Sequence, residues 1–321
     1  MELIADTTDP SIGQLAFSPD GQWLAMASFA KRVRLVPLGG GKEKSAAVSS
    51  GSGARLAFSP DGSALAVADG ALTLFDVPTM KKRWSEKAFA SLVEFRDDGA
   101  RLLVGSGGFR LYDTRTGQNL PGTEHTSPVL GTALCDLAFS TDGALVHSAV
   151  MHKIETHDTT TFAQVRESEI VRTELRSMRR SPDGALLVVG TNTRPAREDP
   201  WVGAVPEQRH VLVLRAADLS LVHRLPVGVE PPLVWETPGH YHATGDGFVL
   251  VRWVPGSRRV AAVYRYAAPD NRCYLHVWDV DSGASLRAET LPFTTVRGFA
   301  ISPDGRRAAF SGSRGVVLLP L

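Results

Sequence analysis

This 321-residue sequence predicts an all-β fold: a closed ring of seven four-stranded antiparallel sheets. Three observations carry that prediction. A five-residue turn recurs about every forty residues. Alternating apolar residues flank each copy. The two ends of the chain, laid end to end, make one ordinary repeat.

The turn reads FSPDG at Phe17–Gly21 and Phe58–Gly62, FRDDG at Phe95–Gly99, FSTDG at Phe139–Gly143, RSPDG at Arg180–Gly184 and ISPDG at Ile301–Gly305. A decayed copy, WVPGS, lies at Trp253–Ser257. With the Asp as a ruler (Gly256 in the decayed copy), the steps are 41, 37, 44, 41, 73 and 48 residues. A period in this range marks an array of one supersecondary unit. Pro sets φ for the second turn position, Asp or Ser side chains bond nearby N–H groups, and Gly supplies the left-handed residue that closes the turn.

Leu15 and Phe17 before the first turn, and Trp23, Leu24 and Met26 after it, give the pattern of a β-hairpin. Leu56 and Phe58, then Leu65 and Val67, repeat it. A third strand follows and ends in an aromatic–Asp pair, as in LTLFDV at Leu72–Val77, FRLYDT at Phe109–Thr114 and LHVWDV at Leu275–Val280. A turn and a fourth short strand complete the unit, which is one blade of a β-propeller. The C-terminal unit, which stops at Leu321, holds three strands, and Glu2–Thr7 is apolar enough to be the fourth. The expectation is therefore a single domain over residues 1–321. Its seventh blade is shared between 1–8 and 295–321, with Glu2–Thr7 beside Gly315–Leu319.

On these residues the chain resembles the WD-repeat family, and the resemblance covers essentially its whole length. VWDVDSGASL at Val277–Leu286, with Trp278–Asp279, is the best-matching segment. The Gly-His pair that usually opens such repeats is absent from nearly every unit, occurring once at Gly239–His240, and only one unit has a literal Trp-Asp. The Asp–His–Ser–Trp network of well-formed repeats is therefore not expected throughout. The last unit also resembles propeller repeats of bacterial periplasmic and peptidase-associated proteins. What the resemblance implies is a non-catalytic scaffold for protein–protein interaction.

Composition fits a globular domain, with 43% hydrophobic and 21% charged residues and a formal net charge of +1. The longest apolar runs are strand-sized, so no membrane span is expected. The N-terminal segment, with Glu2, Asp6 and Asp9, does not read as a signal peptide. Cys135 and Cys273 lie in different blades and read as free thiols of a reducing compartment. The expectation is a cytoplasmic monomer.

The repeat breaks in three places: Thr191–Gln208, Gly228–Gly247 and Ala267–Arg272. In a four-stranded blade, the connection between the second and third strands and the connection between blades leave from the same face, opposite the Ser-Pro-Asp-Gly turns. All three insertions are thus expected on one face, over blades 5 and 6. Long loops on a rigid scaffold are where binding residues concentrate. These carry Trp201, Trp235, His240, Tyr241 and His242, and aromatic side chains are favoured interface anchors. The other reading is that the aromatics fold down to cap the blade core.

Chemical motifs are sparse. His240 and His242 place two imidazoles near Glu236 and Asp246, but two histidines do not make a metal site. His152 and His157 read as a loop residue and a stand-in for the aromatic of the aromatic–Asp pair. No G-x-S-x-G elbow or Walker loop occurs. Ser50–Gly53 and Gly105–Gly108 are Gly-rich without a following helix. Basic clusters at Lys81–Arg83, Arg179–Arg180, Arg258–Arg259 and Arg306–Arg307 share the turn face with the Asp of each turn. That face reads as mixed charge rather than a nucleic-acid patch. A metal-dependent propeller hydrolase would need ligands from several inner strands, where Glu94 and Asp136 are the acidic residues. A periplasmic ligand-sensing propeller would require export. The expectation is no catalytic residue, no cofactor, no metal, no nucleic acid and no membrane, with a protein partner on the loop face.

Overall fold

The computed structural model describes residues 2–3, 12–49, 54–88, 90–105, 108–126, 134–168, 174–192, 210–227, 249–266, 272–313 and 315–321. They form seven separate four-stranded antiparallel sheets. The innermost strands of blades 1 to 6 are Ile12–Phe17, Arg55–Phe58, Leu92–Phe95, Leu134–Phe139, Glu174–Arg180 and Leu250–Val254. Blade 7 begins at Val296–Ile301 and takes its outermost strand from the other end of the chain. Glu2 pairs with Leu318 and Leu3 with Val317. This is the expected closure, resting on Glu2–Leu3; the rest of the expected strand lies outside the described residues.

The seven apolar clusters each lie between two consecutive blades, and one of them joins blade 7 to blade 1. Ala64–Ala68, the second strand of blade 2, shows why its sequence is an unbroken apolar run. Ala64, Ala66 and Ala68 pack toward blade 3, whereas Leu65 and Val67 pack toward blade 1. A strand covered on both faces has no polar side to present. Only small residues fit on the side toward blade 3, where Phe95 and Tyr112 supply the bulk.

The recurrent turn owes its shape to a repeated set of hydrogen bonds. In blade 1 the Gly21 N–H donates to the Ser18 carbonyl at 2.9 Å, with Gly21 at φ +68°. The buried Ser18 hydroxyl donates to Asp20 and accepts from the Trp23 N–H at 2.9 Å. Asp20 also accepts from the Gln22 N–H at 2.9 Å. Blades 2, 4, 5 and 7 repeat the set at Ser59/Asp61, Ser140/Asp142, Ser181/Asp183 and Ser302/Asp304. Consecutive turns also lean on one another. A Cβ added at Gly21 would meet Pro303 at 3.7 Å, at Gly62 Pro19 at 3.6 Å, and at Gly99 Pro60 at 3.6 Å.

The Asp of the aromatic–Asp pair has a comparable task. Asp113 accepts from the Thr116 N–H at 2.9 Å, Asp158 from the Thr161 N–H at 2.7 Å, and Asp279 from the Ser282 N–H at 2.9 Å. Each carboxylate thus holds the turn into the fourth strand. His157 is fully buried as the stand-in aromatic, edge-on to Phe109 at 5.2 Å, while His152 lies in the preceding turn. In the unit with the literal Trp-Asp, His276 stacks on Trp278 at 3.8 Å and bonds Ser285 through Nε2 at 2.6 Å. Cys135 and Cys273 are free thiols, and burial pushes the Cys273 thiol up to about 11.

Candidate functional site

Trp201, Trp235, His240, Tyr241 and His242 lie outside the described residues. The strands that carry their segments are described. Leu186–Asn192 and His210–Arg215 are the second and third strands of blade 5, so the first insertion leaves that blade where the repeat predicts. The strand continues two residues into the expected insertion. Buried Thr191 ties the two strands together: its hydroxyl donates to the His210 carbonyl at 2.9 Å and accepts from the His210 N–H at 3.1 Å. Arg272, expected in the third insertion, instead starts a strand that runs to Asp279.

The described residues place a charged cluster in the central channel. Gln14, Arg55, Glu94, Asp136, Arg179 and Arg252, from the inner strands of blades 1 to 6, line a common space of about 40 Å³. Each inner strand is the open edge of its sheet, so its N–H groups need partners from outside the sheet. The carboxylates supply them across blade boundaries. Glu94 of blade 3 accepts from the Phe139 N–H of blade 4 at 3.2 Å. Asp136 of blade 4 accepts from the Met178 N–H of blade 5 at 2.9 Å and pairs with Arg179 at 2.5 Å. Blade 5 continues the series with a hydroxyl. Ser177 donates to the Val249 carbonyl at 2.9 Å and accepts from the Val251 N–H at 3.1 Å, and Trp253 Nε1–H donates to the Arg179 carbonyl at 3.1 Å.

The electrostatics are those of a confined, net-cationic cluster. Burial raises the Glu94 carboxyl to about 7, against the pull of Arg179 and the Phe139 N–H. Burial also lowers Arg55, although Asp136 opposes the shift. Arg252 is lowered well below its ordinary value by burial and then by the like charge of Arg179. For Arg179, Asp136 and Glu94 outweigh burial and hold it above its ordinary value.

Arg55 and Arg252 are channel residues that the sequence reading passed over. Arg179, expected in a basic cluster on the turn face, lines the channel instead, because Asp136 of the neighbouring inner strand holds it there. A signal for two of the three exists. The residue just before the turn's aromatic position is Ala16, Ala57, Glu94, Ala138, Arg179, Arg252 and Ala300 in the seven blades. Three charges among four alanines, in blades 3, 5 and 6, mark a departure that includes Arg179 and Arg252, whereas Arg55 lies two residues before its blade's alanine. Two carboxylates with fixed backbone donors do not assemble a metal-ligand set. Among the described residues no three His, Cys, Asp or Glu side chains converge.

On the turn face, the basic clusters are interleaved with acids. Arg180 forms a two-pronged pair with Asp97 at 2.8 Å and donates to Thr141 at 2.9 Å, joining the turns of blades 3, 4 and 5. Arg258 pairs with Asp281 at 2.8 Å and Asp183 at 3.1 Å, and Arg83 pairs with Asp76. This is the mixed-charge surface expected from the sequence.

Comparison with known proteins agrees with this architecture. Residues 3–36 match the family model described as WD domain, G-beta repeat. That stretch runs from the strand closing the ring through most of blade 1. The chain is similar in structure to a chain of Kuenenia stuttgartiensis hydrazine synthase, with a TM-score of 0.75 at 15% identity, covering 100% of this chain and 98% of that one. It is also similar to a chain of the mitotic checkpoint complex, with a TM-score of 0.72 at 19% identity, covering 98% of this chain and 88% of the other. No curated protein sequence matches it. At these identities the shared property is the seven-bladed fold.

Proposed function

We propose that this chain is a non-catalytic protein-interaction scaffold, a cytoplasmic monomer whose protein partner docks over blades 5 and 6 on the face opposite the Ser-Pro-Asp-Gly turns. The observation that carries the reading is where the repeat departs from itself. Six of the seven turn copies keep their sequence form and the first five keep their spacing, while the added length falls in the connections at 193–209 and 228–248. Those connections carry both Trp201 and Trp235. A rigid ring that holds long aromatic connections together is suited to presenting anchors. The WD-repeat match in residues 3–36 and the similarity to a chain of a multiprotein complex agree with such a role. The balanced charge of the turn face favours a protein over a nucleic acid.

Affinity capture with the full chain identifies the partner, and titration of that purified partner against Trp201→Ala and Trp235→Ala tests the site. Each substitution is expected to weaken binding by about 2 kcal/mol or more, roughly thirtyfold in Kd, with unfolding unchanged. Unchanged affinity would refute the site, and a stability loss of about 3–5 kcal/mol in both variants would show instead that the tryptophans cap the core.

A further inference from the structure

The channel holds more positive charge than its own carboxylates use. Asp136 is committed to Arg179 and the Met178 N–H, and Glu94 to the Phe139 N–H. Arg55 makes no hydrogen bond or ion pair with any described residue, and the Arg252 guanidinium donates only to the adjacent Val251 carbonyl at 2.7 Å. Both line the same space as Gln14 and Arg179. A guanidinium has five donors in a planar fork suited to carboxylate or phosphate oxygens, and beyond the longer-range attraction of Asp136 these two leave most of theirs unused by described residues. The arrangement therefore resembles a half-built ion-pair network whose missing member is negative.

We propose that the central channel binds one small anion, its carboxylate or phosphate group held by Arg55 and Arg252 on the inner strands of blades 2 and 6, with Gln14 as a neutral donor beside it. The open space of about 40 Å³ between these side chains admits a small charged head group. Such a ligand would join the walls of non-adjacent blades, so its binding stiffens the ring from inside. The environment already penalises charge on Arg55 and Arg252, and a bound anion relieves that penalty. The site is independent of the partner face, because it uses inner-strand residues and none of the long connections.

The test uses the purified full chain at fixed ionic strength, with sodium gluconate, a bulkier anion, as the reference salt. Sodium formate and inorganic phosphate are the probes, and the arm that responds identifies the preferred head group. The expected result is a saturable rise in Tm with at least one probe and one site per chain by titration calorimetry. Arg55→Gln and Arg252→Gln should each weaken that binding at least tenfold. In gluconate alone these variants should keep or raise the wild-type Tm, because each removes one cation from a net-cationic channel. No saturable response to either probe, wild-type binding by both variants, or a lower Tm for both in gluconate would overturn the proposal. The last outcome would mean that the protein itself already satisfies these guanidiniums.

Discussion

The Ser311 hydroxyl donates to the Gly13 carbonyl at 2.6 Å, joining the last blade to the first across 298 residues of sequence. The same seam brings Gly298 so close that a Cβ there would meet the Gly13 oxygen at 2.2 Å. Both residues are in blade 7, and both act on one carbonyl of blade 1. The ring is thus locked by backbone proximity at its inner end and by the Glu2–Leu3 strand at its outer end. Ser311→Ala leaves a buried acceptor without its donor and is expected to cost about 1–3 kcal/mol. Gly298→Ala is expected to cost more, because a backbone oxygen cannot move aside as a side chain can. Deleting residues 1–8 exposes the edge of Gly315–Pro320 and should also lower Tm. Thermal unfolding of the three variants checks these effects. Wild-type Tm in the deletion would refute closure as a source of stability.

Asp136 bridges blades 4 and 5 with a charge, so its removal differs from the loss of an ordinary hydrogen bond. Asp136→Ala leaves the Met178 N–H without its acceptor and Arg179 without its counter-ion. A loss of about 1–3 kcal/mol is expected, the scale for stranding the Met178 N–H, since Arg179 keeps contact with solvent and the attraction of Glu94. Asp136→Asn keeps an acceptor for the N–H and should recover part of that loss. Urea unfolding of both variants tests the ordering. Equal losses would mean that the charge carries the whole effect and the acceptor contributes nothing, whereas wild-type stability in Asp136→Asn would mean that the charge contributes nothing.

The ring architecture was legible because it rests on local chemistry repeated many times. Ser-Pro-Asp-Gly specifies a turn wherever it occurs, and the run Ala64–Ala68 specifies a strand buried on both faces. The chain ends could be joined by repeat length alone. The channel was harder to see. Arg55, Arg179 and Arg252 are separated in sequence by whole blades, and each resembles an ordinary charged residue next to a strand end. Only the closed ring makes neighbours of them. The roles of Glu94 and Asp136 were hidden for a related reason, since their partners are backbone N–H groups of the next blade, which leave no mark in residue type.

Two buried groups in adjacent blades give stability opposite pH dependences. His147 is fully buried, with Nδ1 bonded to Thr156 Oγ1 at 3.0 Å, and burial lowers it to about 4. The unfolded chain takes up this proton near its ordinary value of 6.5. Its contribution is therefore present above that pH and is lost as pH falls toward 4, by at most about 3 kcal/mol. Glu94 acts in the other direction. Folded, it binds a proton near 7; unfolded, near 4.5. Stability thus declines as pH rises through that interval, by less than about 3 kcal/mol because the channel is open to water. Urea unfolding between pH 4 and 8 is expected to show a maximum inside this range. Glu94→Gln should flatten the alkaline side and His147→Gln the acid side. A Glu94→Gln profile parallel to wild type would exclude the carboxyl as the source.

The blade 3 turn tests whether the Ser–Asp network or the backbone alone stabilises these hairpins. There Arg96 replaces the turn serine and pairs with Asp98, which still accepts from the Ala100 N–H at 2.9 Å. The Arg96 N–H still donates to the Arg101 carbonyl at 3.0 Å, so the hairpin closes without a hydroxyl. In blade 5 the corresponding Ser181 is buried and accepts from the buried Leu186 N–H at 2.9 Å. Ser181→Ala should therefore cost about 1–3 kcal/mol by leaving that N–H unpaired. Arg96→Ser removes an exposed ion pair worth about 0–1 kcal/mol and restores a hydroxyl of similar worth. It is expected to be neutral or stabilising by up to about 1 kcal/mol, measured as a urea midpoint shift at constant m-value. A loss above about 1 kcal/mol would show that the aliphatic stem of Arg96, which packs against Gly143 of the next turn, outweighs the hydroxyl at this position.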